Sequence, residues 1–136
     1  MDNLAVSLGY VILYVNDVGA SLSFYERAFG LSRRFYNDEN GKAYGELETG
    51  SARLSFASVR TAQEHLQKDL VAAPSPNEPL SFEVALVTAD VAALFGRAVR
   101  AGATPLREPE TKPWGQTVAY VRDSDGHIVE ICTPMS

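Results

Sequence analysis

Two carboxylates occupy positions where apolar strands would normally exclude charge. Glu130 lies between Val129 and Ile131 in the run HIVEICT, and Glu83 lies in SFEVALV. A carboxylate on a largely buried strand is costly unless it is paired or put to use. For Glu130 this points to a role in a cavity, the alternative being an ion pair with an arginine such as Arg53 or Arg122. Glu83 divides evenly between a cavity role and an edge or surface position. Two carboxylates facing one space raise each other's proton affinity, which suits either a general acid/base pair or a cation site. Glu83 and Glu130 are therefore the catalytic candidates.

Other residues read less sharply. Tyr10, Ile12 and Tyr14 alternate onto one face of GYVILYV, where they serve either as core packing or as a ligand-contacting wall with hydroxyl handles. Trp114, in KPWGQ, either covers a ligand or fixes its own loop. His127 alternates onto the face opposite Glu130 and reads as structural, while His65 in the polar segment TAQEHLQK reads as solvated. Cys132, the single cysteine, sits in IVEICTP and reads as a buried structural thiol, not a nucleophile. Asp17, Asp90, Asp123 and Asp125 have the positions of caps and turns. There is no phosphate-cradling glycine loop, no Ser-His-Asp arrangement and no zinc-knuckle cysteine spacing.

The elements that must position these residues occur twice. YVILYVNDVGASLSFYERAFG (residues 10–30) reads as a strand, an acidic turn and an amphipathic helix stopped by glycine. EVALVTADVAALFGRAVRAG (83–102) repeats that plan at an offset of 73 positions, aligning Tyr10 with Glu83, Asp17 with Asp90 and Arg27 with Arg100. In the first copy Asp17 caps the helix and Val18, Leu22, Tyr25 and Phe29 recur at helical spacing before Gly30. Both faces of 9–15 are apolar, which predicts cover on both sides. Strands follow near 32–37, 42–48 and 52–58, then a short helix over 61–68. In the second copy the strand 81–87 and helix 90–100 lead to strands near 103–107, 116–122 and 127–133, with a loop over 108–115. Each half is βαβββ, and such a duplication predicts a pseudo-twofold fold with a cleft. The expected fold class is α+β: tandem βαβββ modules forming a curved mixed sheet around a cavity, helices on the outer face. The modules span 1–71 and 80–136 of a single domain covering 1–136, joined by the Pro-rich linker 72–79.

Composition narrows the function classes. The chain has 136 residues, 46% of them hydrophobic and 21% charged, enough to bury a core. A net charge of −5 argues against nucleic-acid or anionic-membrane partners. No apolar run approaches the roughly 20 residues that span a bilayer. MDNLAVSLGY lacks the pattern of a signal peptide, and one cysteine excludes an internal disulfide and fits a reducing cytoplasm.

Two segments, VILYVNDVGASLSFYERAFGL and PWGQTVAYVRDSDGHIVEI, resemble the vicinal-oxygen-chelate superfamily of glyoxalase I, extradiol dioxygenases, fosfomycin-resistance enzymes and bleomycin-resistance proteins. The resemblance covers nearly the whole chain. It implies a homodimer and a small organic molecule in the cavity. In metal-dependent members it implies a divalent metal held by His, Gln or Glu at four inward strand positions. Those positions fall here on Tyr10, Glu83, Glu130 and either Leu54 or Ser55, so that two carry carboxylates and none a histidine. A Zn, Fe or Ni site normally uses three or more N, O or S donors, histidine above all. Glu46, in YGELE, would add a third carboxylate, a set better suited to Mg or Mn. The expected function is binding of a small organic molecule without a histidine-based metal site, through Tyr10, Ile12, Tyr14, Glu46, Ser55 and Trp114 as well as the two carboxylates. The alternative is a metal-dependent glyoxalase-like lyase/isomerase or dioxygenase with Glu83 and Glu130 as metal ligands.

Overall fold

The structure is a computed structural model that describes residues 4–70 and 81–135. The Pro-rich linker expected over 72–79 lies outside the described residues. Among the described residues, eight strands and three helices follow in chain order. The first half holds β1 (Tyr10–Val15), α1 (Val18–Phe29), β2 (Ser32–Glu39), β3 (Lys42–Glu48), β4 (Arg53–Ser58) and α2 (Val59–Leu66). The second holds β5 (Glu83–Val87), α3 (Val91–Arg100), β6 (Thr104–Thr111), β7 (Thr117–Arg122) and β8 (Ile128–Cys132).

The repeat becomes two mixed four-stranded sheets of the same topology, ordered β1-β4-β3-β2 and β5-β8-β7-β6. In each, the first strand runs parallel to the last and the others pair antiparallel. The α+β class with tandem βαβββ modules holds. The capping aspartates act as expected. The Asp17 carboxylate accepts from the Ala20 N–H at 3.0 Å, and that of Asp90 from the Ala93 N–H at 3.0 Å. Gly30 closes α1 at φ 69°, a left-handed conformation that a side chain would strain.

In the N-terminal sheet, Leu13, Val15, Leu47, Leu54 and Phe56 are buried on the helix-bearing face. Gly45 lets the start of α1 approach closely: a Cβ there would sit 2.5 Å from the Leu22 Cδ1. The opposite face is open, contrary to the expectation that β1 is covered on both sides. Tyr10 stays 58% exposed and Tyr14 38% exposed. The helices of this unit occupy one face only, so the second apolar stripe of β1 has no layer of its own unit above it.

In the C-terminal sheet, Ala119, Val121, Val129 and Ile131 form the buried face, with Val91 and Ala98 of α3 also buried. This unit also includes residues 23–30, the second half of α1. Arg97 fastens that end of the helix, its guanidinium donating to the carbonyls of Arg27 (2.9 Å) and Glu26 (3.4 Å). The strand β6 runs on to Thr111, into what the sequence presents as a loop from Glu108. It is an exposed edge strand with register shifts against β7, which accommodate Pro109 and a polar run. The helix expected over 61–68 begins earlier, because Ser58 caps it by accepting from the Thr61 N–H.

Candidate functional site

Register places Glu83 and Glu130 on one face of the C-terminal sheet. In the parallel pair β5–β8, Glu83 lies opposite Ile128 and Ala85 opposite Glu130, so the two glutamates are diagonal neighbours that point the same way. The Glu83 carboxyl, when protonated, has that of Glu130 as its hydrogen-bond partner. This bond, together with partial burial and the Glu130 charge, pushes Glu83 up to about 7. On the other side of Glu130, Tyr120 of β7 is its register partner and donates from its hydroxyl to Oε1 at 3.2 Å. Burial, with the Glu130 charge behind it, raises the Tyr120 phenol, which therefore stays a neutral donor. Cys132 lies two residues along the same strand, buried, its thiol pushed up to about 11 by burial first and Glu130 second. Among the described residues, neither Arg53 nor Arg122 pairs with Glu130: the Arg122 guanidinium donates to the Gly126 carbonyl at 2.9 and 3.1 Å.

The equivalent face of the N-terminal sheet is built differently. Ile12 pairs with Ser55 as Ala85 pairs with Glu130, so the counterpart of Glu130 is Ser55 rather than Leu54. Glu46 pairs with Ser55 as Tyr120 pairs with Glu130. Tyr44 brings these together, its hydroxyl donating to Glu46 Oε2 at 2.7 Å and lying 3.1 Å from the Ser55 hydroxyl. Burial raises the Tyr44 phenol, and the Glu46 hydrogen bond adds to this against the opposing bond with Ser55. Glu46 is not a free carboxylate, because the Arg34 guanidinium lies 3.3 Å from it and 3.0 Å from Glu48. The Phe35 ring packs 6.2 Å from that of Tyr44.

The sequence candidates therefore fall into two groups. Tyr10, Ile12, Tyr14, Glu46 and Ser55 share the open face of the N-terminal sheet; Glu83 and Glu130 share that of the C-terminal sheet. Trp114 belongs to neither. It lies in the tight connection between β6 and β7, is 64% exposed and donates to the Gln116 side chain at 2.9 Å. Sequence reasoning overlooked Tyr120 and Tyr44, whereas Cys132 is the buried thiol it expects. Tyr120 was findable: it stands at the centre of a strand adjoining the one that carries Glu130, on the face set by alternation.

The turn before β8 gathers Asp123, Asp125 and His127, with possible ligand atoms within 4.8 Å of one another. Their bonds describe a buried structural node. The Asp123 carboxylate accepts from the Tyr25 hydroxyl (2.6 Å) and from the backbone N–H groups of Asp125 and His127 (both 2.9 Å), with His127 Nδ1 at 3.3 Å. Burial works to raise Asp123, but the hydrogen bonds from His127 and Tyr25 outweigh it and hold the carboxyl below its ordinary value. His127 is buried here, on the face away from Glu130.

Two sheets of matched topology, each with one open face, agree with a family model that matches residues 7–131, the Glyoxalase/Bleomycin resistance protein/Dioxygenase superfamily. The chain belongs to this superfamily. A glyoxalase-related enzyme from Fulvimarina pelagi is 29% identical, with a TM-score of 0.78 over 94% of this chain and 88% of that one. A glyoxalase/bleomycin resistance protein/dioxygenase family enzyme from Burkholderia phytofirmans PsJN shares the fold at 22% identity, with a TM-score of 0.72 over 94% and 98%. A superfamily member from Sphaerobacter thermophilus DSM 20745 does so at 18% identity, with a TM-score of 0.72 over 96% and 99%. Among curated proteins none matches. Superfamily members share a scaffold and differ in chemistry, so membership alone names no activity. No helix among the described residues is long and apolar enough to cross a membrane.

Proposed function

We propose that this superfamily member binds a small organic molecule through the open face of its C-terminal sheet, without a histidine-based metal site. The observation that carries this reading is the diagonal pair Glu83–Glu130 on one sheet face, with Tyr120 hydrogen-bonded to Glu130 beside it. Near neutral pH the pair exchanges one proton, so it can receive a cationic group in the ionised form or a hydrogen-bond donor in the half-protonated form. Tyr120 fixes the orientation of Glu130. A Zn, Fe or Ni ion is a poor fit: the nearby histidine, His127, faces the other way and is engaged by Asp123, leaving two carboxylates and a phenol with a raised pKa. The reading includes a cytoplasmic homodimer, in keeping with the exposed aromatic stripe Tyr10/Tyr14.

Elemental analysis of protein purified without an affinity tag tests this reading. Substoichiometric metal is expected, together with stabilisation by organic amines in a thermal-shift panel that Glu130→Gln abolishes. A tightly bound stoichiometric metal overturns it.

The second reading is a metal-dependent glyoxalase-like lyase/isomerase or dioxygenase. It is favoured by the presence of both carboxylates on one face, which with waters would suit a hard cation such as Mg or Mn. Such an ion would supply Lewis-acid polarisation of adjacent substrate oxygens. If Glu130→Gln leaves metal content and turnover of α-ketoaldehyde–thiol adducts unchanged, this reading fails for that reaction.

A further inference from the structure

Arg53 opens β4 and is the register partner of Tyr10. It stands two residues before Ser55, so alternation places its side chain on the same open face as Ser55, Tyr44 and Tyr10. Its backbone N–H donates to the Gly9 carbonyl at 3.2 Å, but its side-chain Nε is buried and has no hydrogen-bond partner among the described residues. A buried guanidinium N–H without an acceptor is uncommon and calls for an explanation. The nearest acidic position on the adjoining strand, Glu48, is already held by Arg34 at 3.0 Å.

The fold does not demand an arginine here. Tyr10 pairs with Arg53 as Glu83 pairs with Ile128, so the C-terminal sheet fills the same position with isoleucine. A charge that packing does not need, with a donor unmet among the described residues, is a recognition group in search of an acceptor. Arginine offers a planar fork that matches a carboxylate through two parallel hydrogen bonds. Tyr10, 58% exposed, lies alongside on β1, and the Tyr44 and Ser55 hydroxyls lie on the same face.

We propose that the open face of the N-terminal sheet carries an anion subsite in which Arg53 receives the carboxylate of a planar organic acid that rests against Tyr10. This subsite is independent of the Glu83–Glu130 pair and of the function proposed for it. The acidic pair selects for positive charge or donors, whereas Arg53 selects for negative charge.

The probe is benzoate, with benzamide as its neutral isostere, titrated into isotopically labelled protein in chloride-free buffer and followed by backbone amide NMR. Benzoate is expected to give saturable shifts at residues 10 and 53–55, at least about tenfold tighter than benzamide. Arg53→Met, which keeps the stem and removes the fork, should abolish those shifts. It should melt no lower than the parent, since it removes an orphaned donor. Arg53→Lys should weaken binding at least about threefold, because an ammonium cannot form the paired bonds. Glu130→Gln should leave benzoate binding within about twofold, which separates this subsite from the other site. Equal affinity for benzoate and benzamide, shifts confined to other residues, or undiminished binding by Arg53→Met would each overturn the proposal.

Discussion

Tyr25 donates a 2.6 Å hydrogen bond to Asp123, although 98 positions separate them in the chain. Both groups are buried, and the bond ties the second half of α1 to the turn that starts β8. Tyr25 is also a member of an aromatic cluster, 5.2 Å from Phe29 and 5.8 Å from Phe24 between ring centroids. The residue thus gives the core its bulk and the Asp123 carboxylate one of its donors.

Tyr25→Phe keeps the ring and removes that donor. A hydrogen bond to a charged, buried acceptor contributes about 1.5–3 kcal/mol, and Asp123 retains its bonds to His127 and Asp125. A loss toward the lower end of that range is expected in urea unfolding at neutral pH. The depressed Asp123 carboxyl stabilises the fold above its unfolded pKa, and this contribution is lost as pH falls through the folded value. The gap between variant and parent should therefore narrow in acid.

Glu83 has the opposite sign. Its folded pKa, about 7, exceeds the ordinary carboxylate value of 4.5, so the folded state holds more protons than the unfolded chain between those limits. Its contribution therefore declines as pH rises from 4.5 toward 7. Carboxyl NMR titration should place the Glu83 midpoint near 7. In Glu130→Gln the midpoint should move down toward 4.5, because the charge and the acidic hydrogen bond that raise it are gone. A midpoint unmoved by that substitution would assign the shift to burial alone.

Gly45→Ala should destabilise the N-terminal unit. The added methyl meets Leu22 Cδ1 at 2.5 Å and Val18 Cγ1 at 3.2 Å, and both of those side chains are buried. Overpacking of this kind costs roughly 1–3 kcal/mol, to be read as a lowered denaturation midpoint with an unchanged slope.

Cys132 should resist thiol–disulfide exchange. Its thiol, pushed up to about 11 and buried, holds very little thiolate at pH 8. Modification by a thiol-reactive disulfide should proceed with the unfolding rate in native buffer and become fast only in denaturant. Rapid labelling of the folded protein would show that this strand opens to solvent on its own.

Much of the scaffold was legible because its signals are local. Asp17 and Asp90 announce two helices, the spacing of Val18, Leu22, Tyr25 and Phe29 gives the buried stripe of the first, and Gly30 marks its end. Strand identity followed from apolar alternation in the inner strands; the exposed edge strands β2 and β6 need no apolar face, and part of β6 so resembles a loop. The pairing of Glu83 with Glu130 was legible only as a shared face. Their mutual hydrogen bond depends on the parallel register of β5 and β8, and no pattern within either strand reports that register. The same holds for Ser55 against Leu54, which only the pairing of β4 with β1 decides. Tyr25 read simply as a core aromatic, since nothing near it in sequence reveals that its hydroxyl reaches Asp123.

The division of α1 has a consequence for how such a chain could have arisen. Residues 18–22 belong with one sheet and 23–30 with the other, although the whole helix is encoded in the first copy of the repeat. The segment that duplicated is therefore not the segment that cooperates. An excised second copy would lack Phe24, Tyr25, Ala28 and Phe29, all buried, and would expose the surfaces they occupy. Inheritance here comes in halves, but the boundary between the compact units runs through α1 and not between the two copies.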